Sequence, residues 1–186
     1  MNKVVLVTGG AKRIGKSICK KFHENGFSII CHYNSSDEEA KNLKKELNSV
    51  RANSIETIKF DLNDYKNYNS FCDSILKKYG KLDVLINNAS SFFSTPLNED
   101  NLSDWDDLIN SNVKGPLIIV KYFANYLKKN LGTVVNLSDA MIIRGMKDYS
   151  IYSIAKGGLE TLTKSLAKEL APEIRVNAVA PGAILL

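Results

Sequence analysis

The opening of the chain limits its fold more than any other stretch. Residues 3–8 are an apolar, β-branched run without polar alternation, the pattern of a strand buried on both faces. The run feeds directly into Gly9-Gly10-Ala11-Lys12-Arg13-Ile14-Gly15, and a helical pattern follows, with Ile14, Ile18 and Phe22 on one side and Gly26 just past its end. Strand, glycine turn and helix form the first half of a βαβ unit. In such a unit the glycines permit a tight turn and a close backbone approach, and the helix amino terminus offers free N–H groups to a pyrophosphate. The spacing is not Gly-x-Gly-x-x-Gly: Gly9 and Gly15 bracket the turn, with Gly10 beside the first. A tight turn without a ligand is the plainer reading of the same residues.

Strand and helix patterns then alternate. Residues 27–33 read as a second strand, 37–49 as a helix presenting Ala40, Leu43 and Leu47, and 54–60 as a third strand. A helix over 64–79 has Phe71, Cys72 and Ile75 inward and stops at Gly80; residues 82–86 form a fourth strand ending in Asn87-Asn88-Ala89-Ser90. Four such cycles predict an α/β fold, a Rossmann-type doubly wound parallel sheet with right-handed crossovers, in a single domain spanning 1–186. Residues 98–130 are helical by the spacing of Trp105, Leu108, Ile109 and Val113. Asn112 lies inside this helix, and Gly115-Pro116 is expected to kink it or interrupt its hydrogen bonds. A strand at 133–137, a helix at 149–171 ended by Pro172, and a strand at 174–179 running into Ala180-Pro181-Gly182 complete the pattern.

Composition narrows the function. With 186 residues and 44% apolar content the chain can build a core. Its longest apolar runs are too short to cross a bilayer, and strand-like sequence begins almost at Met1, so a cytoplasmic protein without a signal peptide is expected. Cys19, Cys31 and Cys72 lack metal-ligand spacing and read as buried small side chains; no metal is expected. The formal net charge of +5 suits an anionic ligand but is spread over many helices, so nucleic acid is not an expected partner.

The chemistry concentrates between Asn136 and Lys156. Tyr152 and Lys156 stand four apart, on one face of a helix. A free tyrosine has a pKa of about 10, and an ammonium within a few ångströms favours the phenolate and brings it into working range. Asp139, at the strand end, faces the same pocket or caps the loop. Without context, a Tyr-x-x-x-Lys pair is also an ordinary surface pair. Cofactor choice is read at the end of the second strand, where a nicotinamide dinucleotide lacking a 2′-phosphate usually meets an acid. Here that end reads His32-Tyr33-Asn34-Ser35-Ser36, while Asp37, Glu38 and Glu39 suit the first turn of the next helix. A hydroxyl and amide cluster facing Lys12 and Arg13 suits a ribose 2′-phosphate, hence NADP; solvated cations are the alternative. Asp61-Leu62 either hold the adenine edge or form a turn.

Together these residues resemble the short-chain dehydrogenase/reductase family over the whole chain. Thr8-Gly9 with Gly15 looks like its cofactor turn, Asn87-Asn88-Ala89 like its fourth-strand motif, Asn112 like its catalytic asparagine, Tyr152 with Lys156 like its catalytic pair, and Pro181-Gly182 like its nicotinamide-side motif. Arg13 stands where the family has a glycine, and Asp139 where it has a serine. Both departures, with His32-Tyr33 and Asn87 to Phe92, resemble the pteridine reductase branch; Ser35 falls near where that branch carries a second cation. The resemblance implies an NADPH-dependent reductase of a pterin C=N bond. In it, Tyr152 and Asp139 supply the proton, Lys156 holds the ribose and tunes Tyr152, and Asn112 fixes Lys156, directly or through a water. Phe92 is implied to stack on the pterin, Ser90 to bond its edge, and Arg13 to contact the cofactor phosphate or the pterin. Thr8, Ile14, Ala89 and Ser90 are implied cofactor contacts along with the glycines.

An aspartate suits this chemistry on its own terms. An ionised carboxylate only accepts hydrogen bonds, and beside Tyr152 it raises the phenol pKa and opposes Lys156. It fits a proton delivered to a basic ring nitrogen better than reduction of a ketone. The alternatives are a reductase of a ketone or 3-oxoacyl thioester, and a truncated, non-catalytic binding protein. The second arises because the family continues past Pro-Gly with a substrate loop, a helix and a final strand, which this chain is expected to lack. The helices at 98–130 and 149–171 resemble the family's dimer and tetramer faces and imply a homo-oligomer.

Overall fold

The computed structural model describes residues 2–99 and 104–182. Six strands, β1 (Val4–Val7), β2 (Ser28–Tyr33), β3 (Ile55–Lys59), β4 (Val84–Asn87), β5 (Thr133–Leu137) and β6 (Arg175–Val179), form one sheet in the order β3-β2-β1-β4-β5-β6. Every pairing is parallel. Strand order reverses between β1 and β4, which opens a crevice beyond their carboxyl ends, the place where sheets of this kind bind ligands.

The helices are α1 (Arg13–Glu24), α2 (Asp37–Val50), α3 (Tyr68–Tyr79), α4 (Asp104–Ile109), α5 (Gly115–Lys129) and α6 (Ser150–Glu169). They cover both faces of the sheet. Val4 and Leu6 of β1 join the core under α3, α5 and α6, with Phe71, Ile75, Phe123 and Leu166. Val5 and Val7 join the core under α1 and α2, with Cys19, Leu43 and Leu47. Alternate residues of β1 thus enter opposite cores, so the unbroken apolar run follows from burial on two sides. All three cysteines are buried and unpaired. Among the described residues no helix is long and apolar enough to cross a membrane.

Three expectations need correction. The buried face of α1 is Gly15, Cys19 and His23, one residue on from the predicted stripe. Small Gly15 and Cys19 let the helix lie close on the glycine turn, while Ile18 and Phe22 pack at the flank of the core. The helix expected over 64–79 starts at Tyr68, because Asp64 and Asn67 donate their amides to the carbonyls of Asp61 and Asp64 in consecutive turns. The helix expected over 98–130 is divided. A π-helical turn, Asn110–Lys114, separates α4 from α5. Pro116 has no N–H for the carbonyl of Asn112, so the α-helical ladder lacks that rung and the backbone widens there. Residues 100–103 of that prediction lie outside the described residues.

Candidate active site

The glycine turn closes on itself with no room to spare. Gly9 has φ +61°, and a Cβ on Gly15 would lie 2.1 Å from the Gly9 carbonyl oxygen. A Cβ on Gly9 would lie 2.9 Å from Cα of Ala89. The turn is bound to β4: Thr8 Oγ1 accepts from the amides of Asn88 and Ala89, each at 3.0 Å, and Asn88 Nδ2 donates to the carbonyls of Thr8 (2.9 Å) and Gly9 (3.0 Å). Arg13 opens α1 at φ +49°. A positive φ at the position where the family carries glycine keeps the same turn geometry with a cationic side chain attached, at some cost in backbone strain.

His32 differs from the expectation. It is 1% exposed, and its ring pins the turn: Nδ1 accepts from the Gly9 amide at 3.2 Å, while Nε2–H donates to the Phe60 carbonyl at 3.0 Å. Burial lowers its pKa to about 4, so the ring is neutral at physiological pH. It therefore braces the turn instead of carrying charge. With Tyr33, Asn34, Ser35 and Ser36 it also lines a cavity of about 350 Å³, shared with Gly9, Lys12, Asp61, Leu62, Ala89 and Ser90. Asp37 turns away from it, its carboxylate 2.8 Å from Nζ of Lys59. Asp61 serves as a turn residue, accepting from the Asn63 amide at 2.9 Å, and also borders the cavity.

A second cavity of about 410 Å³ shares Gly9, Lys12, Ala89 and Ser90 with the first and adds Arg13, Ile14, Gly15, Phe92, Asp139, Tyr152 and Gly182. The two make one groove running from the end of β2 past the amino terminus of α1 to Tyr152. A cradle that a single Cβ would fill, at a helix amino terminus and flanked by two cations, fits an extended dinucleotide. A third cavity, about 320 Å³, opens beside it between Phe92, Asp139, Met141, Met146, Tyr152, Lys156 and Pro181. The Pro181 carbonyl accepts from the Ala140 amide at 3.0 Å, tying that segment to the Asp139 loop.

At this end the chemistry-bearing side chains meet. Tyr152 hydroxyl donates to Asp139 Oδ2 at 2.8 Å. Asp139 Oδ1 accepts from the Met141 amide at 2.8 Å and caps a 3₁₀ turn, Ala140–Arg144, so the capping and pocket-facing readings of Asp139 both hold. Lys156 is 3% exposed and donates through Nζ to the Leu137 carbonyl at 2.9 Å. Burial lowers the Lys156 pKa to about 8, against the pull of Asp139. Burial also raises the Tyr152 pKa, and the hydrogen bond and charge of Asp139 raise it further, while a hydrogen bond with Ser90 opposes in part. In this geometry burial and the Asp139 carboxylate hold the Tyr152 pKa up, while the Lys156 ammonium donates to the Leu137 carbonyl and stands 5.8 Å from the centre of the Tyr152 ring.

Asn112 is not hydrogen-bonded directly to Lys156. Its Nδ2 donates to the carbonyls of Ser91 and Leu108, each at 3.0 Å, and its Oδ1 accepts from the Ser90 hydroxyl at 2.7 Å. It fixes the strap after β4, while the direct partner of Lys156 is Leu137. Phe92 is 53% exposed, stacks on Tyr149 (4.8 Å, 12°) and meets Tyr152 edge-on (4.8 Å). Sequence reasoning missed Tyr149, Met141 and Met146. Tyr149 had a signal, three residues before Tyr152 on the same helical side.

A family model described as short chain dehydrogenase matches residues 3–185. The chain belongs to that family. It is 36% identical over 222 residues to pteridine reductase 1 of Leishmania tarentolae, covering 98% of this chain and 77% of that protein. It is 34% identical over 187 residues to the 3-oxoacyl-[acyl-carrier-protein] reductase FabG of Staphylococcus aureus, covering 100% of this chain and 76% of that one. As a short-chain dehydrogenase the protein is an oxidoreductase that works with a nicotinamide cofactor.

Proposed function

We propose that this short-chain dehydrogenase reduces a C=N bond of a dihydropterin with NADPH. The observation that carries the reading is the hydrogen bond from Tyr152 to Asp139 at 2.8 Å. A ketone oxygen needs a donor that stabilises developing negative charge, and a carboxylate at that place works against it. A ring nitrogen is itself basic and needs only a proton, which a tyrosine–carboxylate pair can hold and release.

When bound, the cofactor supplies the hydride, which is delivered to the carbon of the C=N bond. The residues of the chain do the rest. Gly9 and Gly15 leave room for the pyrophosphate against the start of α1, and Lys12 and Arg13 offset its charge. Asn34 and Ser35 present polar groups at the end of β2, where the nearby Asp37 is engaged by Lys59; this favours a 2′-phosphate and hence NADPH. Phe92, already stacked on Tyr149, offers its exposed ring to the flat face of a pterin. The nitrogen takes one proton from the Tyr152–Asp139 pair. Lys156 offsets the negative charge left on the pair until solvent returns the proton. The same reading takes a homo-oligomer, with Leu117 and Ile154 exposed on α5 and α6 as contact residues.

A second reading, reduction of a 3-oxoacyl thioester, is favoured by the similar identity to the staphylococcal reductase. Steady-state NADPH oxidation separates them, with dihydrobiopterin and acetoacetyl thioester as substrates for the wild type and for Asp139→Ser. The wild type should prefer the dihydropterin, and Asp139→Ser should lose about tenfold or more of that activity. Unchanged dihydropterin turnover in Asp139→Ser would sink the proposal, and a wild-type preference for the thioester would favour the second reading.

A further inference from the structure

Two segments that wall the cavity at the β2 end of the groove are joined by a hydrogen-bonded bridge centred on Asp107 of α4. Its Oδ1 accepts from Asn63 Nδ2 at 2.8 Å and from the Ser91 hydroxyl at 3.0 Å. Asn63 belongs to the turn that follows β3 at the Asp61 lip; Ser91 lies in the strap that follows β4, between Ser90 and Phe92. One carboxylate oxygen therefore links the turn after β3 to a strap that runs on, through Phe92, into the cavity beside Tyr152. The link is doubled through the backbone, because the Asp107 carbonyl accepts from the Ser111 hydroxyl at 2.7 Å, and that hydroxyl accepts from the Ser91 amide at 3.2 Å.

From Ser91 the strap reaches the reacting residues. Asn112 donates to the Ser91 carbonyl and accepts from the Ser90 hydroxyl, Ser90 lines the same cavity as Tyr152, and Phe92 meets the Tyr152 ring edge-on. Ring contacts of Phe92 with Tyr149 and Tyr152 and the packing of Phe93 hold the far end of this strap. At Ser91, hydrogen bonds of the backbone and of Asp107 set its place. A charged acceptor makes the stronger kind of hydrogen bond, and Asp107 receives two.

We propose that Asp107 is a positioning residue that couples occupancy of the Asp61–Asn63 end of the groove to the placement of the Ser90–Phe92 strap against Tyr152. A dinucleotide whose adenine end rests on that lip immobilises Asn63, and through Asp107 the strap that faces the substrate. The inference rests on the groove as a dinucleotide site and is independent of which substrate is reduced. A contiguous set of bonds is only a route, so the test must read coupling itself.

Hydrogen exchange of the amides in 88–93 and in 9–15 measures it, with and without saturating NADPH, in the wild type, Asp107→Ala and Asp107→Asn. In the wild type NADPH should slow exchange in both segments. In Asp107→Ala the slowing at 9–15 should persist while that at 88–93 falls by about threefold or more; Asp107→Asn, whose amide oxygen still accepts, should keep most of it. A general structural role would alter both segments alike and would not be rescued by asparagine. If Asp107→Ala does not fold, Ser91→Ala removes the same bond from the other side and should behave as Asp107→Ala does. Equal slowing at 88–93 in the alanine variants, or none in the wild type, overturns the coupling. Intact coupling with no dihydropterin turnover would overturn only the pterin reading.

Discussion

The glycine turn and the substrate rim face the same groove but are held in different ways. Around the turn, the contacts are backbone to backbone or run through buried polar groups: Thr8 to Asn88 and Ala89, His32 to Gly9 and Phe60. No volume remains there for even one carbon at Gly15. Around the rim, side chains hold one another, as Tyr152 holds Asp139 and Phe92 leans on Tyr149, and several of them stay open to solvent. The turn is a matter of shape, and shape fails when it is filled. The rim is a matter of protons and ring faces, and it fails when a functional atom is removed although the fold survives.

The sharpest test of that contrast is Tyr152→Phe. It deletes one oxygen and leaves the buried ring, so kcat should fall by about 10²–10⁴ while the melting temperature and NADPH affinity change little. Stopped-flow turnover beside a melting curve and a cofactor titration reads all three. A comparable loss of cofactor affinity would erase the distinction between rim and turn.

Gly15→Ala should do the reverse. The added methyl meets a carbonyl oxygen and the backbone must move, costing on the order of 3 kcal/mol and lowering the melting temperature by roughly 10 °C. Cofactor binding should weaken with it. Calorimetry and NADPH titration give both numbers, and a variant as stable and as tight-binding as the wild type would break the shape argument.

The smallest effect concerns His32. Its pKa is lowered to about 4 in the folded protein, against about 6.5 in an unfolded chain. Between these values the unfolded state binds more protons, so stability is fully present above pH 6.5 and is lost as pH falls toward 4. By pH 5.5 the loss from this group is about 1.4 kcal/mol. Urea melts across this range should show a shallower acid limb in His32→Asn than in the wild type; parallel limbs would mean that His32 is not the buried neutral pin.

Much of the scaffold was legible because burial on two faces leaves an unbroken apolar run. The strand at 133–137 has the predicted bounds, and the parallel order follows from the alternation of strands and helices. The spacing of Tyr152 and Lys156 was legible for the same reason, since helical periodicity is local. What was not legible depends on partners distant in sequence. Lys156 could not be assigned to the Leu137 carbonyl, nor His32 to the Phe60 carbonyl, because periodicity says nothing of which group lies across the crevice. Asp107 was hidden in plain composition. Beside Asp104 and Asp106 it reads as another acid complementing a helix dipole, and only the folded chain brings Asn63 and Ser91 to it.

The π-helical turn at Asn110–Lys114 has a consequence for the history of the chain. Such a turn amounts to one residue inserted into an otherwise regular helix, and it rotates everything on one side of it by about 100° relative to the other. Asp107 keeps one phase, toward the groove, while Ile119 and Phe123 keep another, toward the sheet. Deleting any single residue from 110–114 would mend the helix and put the two halves out of step, drawing Asn112 away from Ser90. The length of this segment is therefore more tightly constrained than its composition. Apart from Ser111 and Asn112, whose side chains hold the strap, substitution there should be better tolerated than the gain or loss of a residue.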